Sequence, residues 1–184
     1  MSSKDWDDTT PHPWRRYAAR LTDMLVLGSV AWFALAVVLY AVNPVVADRM
    51  FSGERNMAAD GMLNLILVLP VIAILIGLTG SSLGKWVFGI RVSKDGKPIG
   101  FLAALKREFS VWFFGMGIGF PLASLVTLIL SFNKLKDHQA TRWDAKGEFV
   151  VTHRPQTNAT LAMMWAAIVG LMFMSIGLAA LGSL

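Results

Sequence analysis

Residues 21–42 read LTDMLVLGSVAWFALAVVLYAV, twenty-two positions with a single charge, Asp23. A helix needs about 20 apolar residues to cross a hydrocarbon core of ~30 Å, so this stretch predicts a membrane helix. Three further runs have the same character: Met62–Leu83, Phe109–Phe132 and Leu161–Leu181. Across the 184 residues apolar types make up 55% and charged types 16%, against the ~25% charged of a soluble domain. The fold expected is an all-α polytopic membrane protein. A water-soluble single-domain enzyme is excluded.

The charges between the runs bear on topology. Lys and Arg number four before the first run, two between the first and second, six before the third and five before the fourth, with none after it. If all four runs cross, the two faces carry ten and seven, a weak bias for a rule that counts Lys and Arg in short loops. If the third run enters and leaves on one side, the counts are fifteen against two. That run also carries Gly115, Gly117, Gly119 and Pro121, a break suited to a helical hairpin because glycine weakens a helix and proline opens one. The preferred architecture is therefore three spanning helices plus a Gly/Pro-broken re-entrant helical hairpin. The alternative is four spanning helices.

Between the runs, Gly89–Gly100 reads as an extended hairpin around the turn Lys94-Asp95-Gly96-Lys97, and Glu148–Thr152 as another short strand. Together they predict a small cytoplasmic β element, which requires both segments on one side. The amino end and both basic loops are expected to be cytoplasmic. The domain division expected is a polar tail over 1–13, a membrane domain over 14–152, and a linker with an appended helix over 153–184. The acidic start, with Asp5, Asp7 and Asp8, does not read as a signal peptide.

Arg16, Arg20 and Asp23 stand at i, i+4 and i+7, on one helical face. A carboxylate just inside an apolar run is costly unless a partner meets it, and the arginines are the nearest partners in sequence. This opening segment resembles the RDD family of membrane proteins. The likeness continues in Gly84-Lys85-Trp86-Val87-Phe88-Gly89-Ile90-Arg91-Val92, in Asp95-Gly96-Lys97, in Lys106-Arg107-Glu108, and in Gln139-Ala140-Thr141-Arg142-Trp143-Asp144. Two departures stand out. Trp143 replaces a histidine frequent before the last aspartate, and Phe149 replaces a threonine after it. The resemblance implies a bacterial inner-membrane location and makes Arg16, Arg20, Asp23 and Asp144 one charge cluster at the cytoplasmic interface.

Zero cysteines exclude disulfides and thiolate chemistry. His12, His138 and His153 lie in polar segments without metal-ligand spacing and read as solvated loop residues; no phosphate loop of the Walker type is present. Neither an enzyme nor a cofactor is expected. The formal charge of +5 fits loops that meet the bilayer and its anionic lipid headgroups better than nucleic acid. Gly80 with Gly84, and Ala166 with Gly170, have the spacing that lets helices pack closely, consistent with a homo-oligomer or a membrane protein partner. The sharpest functional expectation is a small cation/proton transporter, or a transporter subunit, acting through the Arg/Asp cluster. The alternative is a non-catalytic membrane adaptor or assembly factor that binds a partner protein or anionic lipid through its basic loops.

Overall fold

The structure is a computed structural model and describes residues 6–52, 57–115, 141–155 and 157–181. It is mostly helical. The first helix, α1, runs Pro13–Val42, with proline in its first turn, where a missing N–H costs nothing. It stops at Asn43, whose N–H donates to the Leu39 carbonyl and whose side chain accepts from Val46 N–H at the start of α2, Pro44–Ser52. The short α2 folds back on the far end of α1, where Phe51 meets Trp32 and Tyr40.

The third helix, α3, spans Met57–Thr79. α1 and α3 are the two described helices long and apolar enough to cross a membrane. Only 6% of α1's apolar window is buried inside the molecule, and Val30, Phe33, Val37 and Val38 point outward. A water-soluble chain would have to hide such a surface, whereas a bilayer accepts it. The core lies on the opposite side: Val68, Ile72, Ala73 and Ile76 of α3 pack with Ala18 and Ala19 of α1.

After α3 the chain turns sharply at Gly80, whose positive φ of 80° a side chain would strain, and enters α4, Leu83–Val87. Strand β1, Ile90–Ser93, follows, then the Lys94–Lys97 turn and α5, Phe101–Gly115. At Gly77 a Cβ would lie 2.7 Å from the Phe101 amide, so α3 and the start of α5 touch backbone to backbone. The chain resumes with α6, Arg142–Gly147, strand β2, Val150–His153, and α7, Asn158–Leu181.

The strands pair antiparallel, with Ile90 opposite His153 and Ser93 opposite Val150. The extended hairpin expected over Gly89–Gly100 is thus only its turn, since β1 takes its ladder partner from β2 beyond the third run. Phe88, Ile90, Val92 and Val151 bury against α1 and α3, which is why this register wins over a local one. Asp8 adds an isolated bridge to His153, so residues 6–12 dock on the sheet.

The third run is described only to Gly115, where α5 ends; Gly117, Gly119 and Pro121 lie outside the described residues. The four small residues sit in different surroundings, and only Gly84 lies in a close contact between two described helices. Gly80 lies beyond α3 against Val92 and Arg91 of β1, and Gly84 belongs to α4, where a Cβ would collide with the Ala19 carbonyl of α1. Ala166 and Gly170 are exposed on α7, and nothing approaches Gly170.

Candidate functional site

Three elements, α4, α5 and α6, converge on the N-terminal third of α1. Asp23 is fully buried there. Its Oδ2 accepts from Ser82 Oγ at 2.5 Å and its Oδ1 from the Gly84 amide at 2.6 Å, where the start of α4 offers free N–H groups. Lys85 Nζ lies 3.9 Å from the same carboxylate. The arginines nearest in sequence do not pair with it. Arg20 reaches Glu108 instead, and Arg16 Nη1 lies 3.4 Å from Asp144. The shared face predicted for Arg16, Arg20 and Asp23 exists, but neighbouring elements supply the carboxylate's partners.

Glu108, on α5, is the second fully buried acid. Its Oε2 accepts from Arg20 and its Oε1 from Arg107 at 2.7 Å, with Lys85 Nζ 3.7 Å away. Asp144, on α6, is the third. Arg107 Nε donates to its Oδ1 at 2.8 Å and Thr141 Oγ1 to its Oδ2 at 2.6 Å. All six carboxylate oxygens thus accept at least one hydrogen bond. Such a network can repay the heavy desolvation of buried charges, which a lone ion pair rarely does. Burial pushes the Lys85 ammonium below its ordinary range, against the pull of Glu108 and Asp23.

Reading the sequence singled out Arg16, Arg20, Asp23 and Asp144 and missed Glu108, Lys85, Arg107, Ser82 and Thr141. Glu108 offered the same signal as Asp23, an acid at the edge of an apolar run. Lys85 and Arg107 stood in motifs with no hint of which acid they would meet. Arg15 gave no signal either. It is buried, and its guanidinium donates to the backbone carbonyls of Phe88, Gly89 (3.1 Å) and Arg154 (2.9 Å), tying α1 to both strands.

His153 corrects an expectation. It is not solvated but completely buried in β2, edge-on to His12 at 4.9 Å, with its amide donating to the Asp8 carbonyl at 2.7 Å. Burial pushes its imidazole down to about 4. His138 lies outside the described residues. Among the described residues no group of three or more acids, histidines or cysteines is arranged to hold a metal.

The sequence model of the RDD family matches residues 10–146, well over half the chain and every residue of the buried network. The chain belongs to the RDD family. Like its family it is a membrane protein, and the matched region runs from the docked N-terminal segment through α6. Helix α7 lies beyond it. Strand β2 also lies beyond it, yet completes the sheet begun by β1. Searches of curated proteins and of solved structures returned no match.

Proposed function

We propose that this RDD family protein exchanges protons for a monovalent cation at Asp23, Lys85 and Glu108. The observation that carries the reading is the position of the Lys85 ammonium, 3.9 Å from Asp23 and 3.7 Å from Glu108. Both distances exceed a hydrogen bond, so Lys85 bridges two acids without being locked to either. A buried lysine with a depressed proton affinity can release its proton. A small cation taking its place between the carboxylates leaves the net charge of the network unchanged, which makes the exchange electrically simple.

The proposed orientation puts the amino end and both basic loops in the cytoplasm, as the Lys and Arg distribution favours. The antiparallel pairing of β1 with β2, and the Arg107–Asp144 contact, put both flanks of the third run together. This supports the re-entrant reading over a crossing one. On this view the protein has no enzymatic role and works in an inner membrane.

The test is proton flux in proteoliposomes carrying an internal pH dye, with Na+ or K+ added outside. The wild type should show cation-dependent proton movement, and Asp23→Asn and Lys85→Met should lose it while still reconstituting. A wild type without flux overturns the exchange reading and leaves the adaptor role.

A further inference from the structure

The network holds four cations, Arg16, Arg20, Lys85 and Arg107, against three acids, Asp23, Glu108 and Asp144, a formal surplus of one positive charge. With every carboxylate oxygen already accepting, donors are left over, and they are not scattered. Arg20 gives Nη1 to Glu108, while its Nε and Nη2 are shielded from water and have no acceptor. Those two nitrogens form one edge of the planar guanidinium, the fork that matches two oxygens of a phosphate or carboxylate. Arg16, one turn earlier on the same face, leaves its own Nε buried without an acceptor.

We propose that the free edge of Arg20, with Arg16 Nε, is a binding site for a phosphate oxyanion, presented by an anionic phospholipid headgroup. Arg20 immediately precedes the apolar run, the end of a membrane helix at which basic side chains meet headgroups. Tyr17 and Leu21, next to it on α1, are 45% and 39% exposed and offer an amphipathic surface to a lipid. Arg16 and Arg20 keep 17% and 11% of their side-chain surface, so a headgroup reaches the fork once the side chains over it part. One bound monoanion cancels the surplus charge and supplies the missing acceptors. Free phosphate presents the same oxygens and is the other source of this chemistry. The site does not depend on exchange at Lys85.

The full-length protein, delipidated in a neutral detergent, is titrated with short-chain phosphatidylglycerol, short-chain phosphatidylcholine or inorganic phosphate. Thermal unfolding and the lipid retained in native mass spectrometry are read. Phosphatidylglycerol should raise the unfolding midpoint and phosphatidylcholine should not. Arg20→Lys keeps a charge beside Glu108 but removes both free donors, and should weaken the effect by about tenfold, the scale of a lost charge-assisted hydrogen bond. Arg16→Lys should weaken it in the same direction and serves if the first variant fails to fold. Inorganic phosphate acting alone, with the same arginine dependence, supports the oxyanion site and makes free phosphate its source. Equal response to both lipids, no response to any probe, or variants that bind like the wild type overturns the proposal.

Discussion

Arg107 Nε donates to Asp144 Oδ1 at 2.8 Å, although the two residues stand 37 apart in sequence on opposite flanks of the third apolar run. Arg107 is 7% exposed and Asp144 2%. The contact fastens α5 to α6 and brings Asp144 within reach of Arg16 on α1. One acid thereby ties three helices together.

Removing that acid takes away the carboxylate partner of Arg16 and leaves Arg107 with Glu108 alone. Asp144→Ala should destabilise the protein by ~3 kcal/mol or more, the scale seen when one partner of a buried ion pair is deleted. Thermal unfolding in detergent checks it. An unchanged midpoint would mean that the pair does not form in the membrane-extracted protein.

Two of the three glycines singled out by spacing, Gly84 and Gly170, should behave in opposite ways. Gly84→Ala places a methyl against the Ala19 carbonyl and 3.0 Å from Asp23 Oδ1, forcing α4 off α1 at a cost of about 1–3 kcal/mol. Gly170→Ala meets nothing within 4 Å and should stay within about 0.5 kcal/mol of the wild type. Comparable losses in both variants would show that α7 packs as tightly as α4, contrary to the fold described.

His153 makes stability depend on pH. Its native proton affinity is depressed to about 4, chiefly by burial and then by Arg16 and His12, while the unfolded chain titrates near its ordinary 6.5. Between these values the unfolded state binds more protons, so stability rises with pH. The contribution is complete above pH 6.5 and is lost as pH falls toward 4. His153→Phe should flatten the fall in unfolding midpoint between pH 7 and pH 5; a variant with an unchanged slope would assign that slope to other groups.

The chain has no native cysteine, so single cysteines report topology without background. Lys97→Cys, beyond β1, and Lys146→Cys, before β2, are both exposed positions flanking paired strands. In intact cells a membrane-impermeant reagent should treat them alike, leaving both unlabelled if the basic loops are cytoplasmic. Labelling at one position alone would separate the strands by a bilayer and dissolve the sheet.

Much of the architecture was legible because membrane helices announce themselves locally. Twenty-two residues with at most one charge among them state their own environment, and the runs at 21–42 and 62–83 correspond closely to α1 and α3. The Lys94–Lys97 turn was legible for a similar reason, since Asp95 and Gly96 adopt the positive φ values that their residue types tolerate. The partner of β1 was not legible. Ile90 and Val92 bury equally well in a local hairpin or against a distant strand, and only the arrival of Val151 settles the choice. His153 was misread because its neighbours are polar and its burial is made by the docked segment around Asp8.

The sequence by itself determined that this is a helical membrane protein, where its apolar helices lie, and that acids at their edges need partners. Those are matters of transfer free energy, and each segment carries its own. Only the tertiary structure decided which base meets which acid. Asp23 takes Ser82, the Gly84 amide and Lys85, Arg20 goes to Glu108, and Arg16 goes to Asp144. Ion pairing acts over a few ångströms at fixed geometry, and four elements distant in sequence must first be packed before any such distance exists.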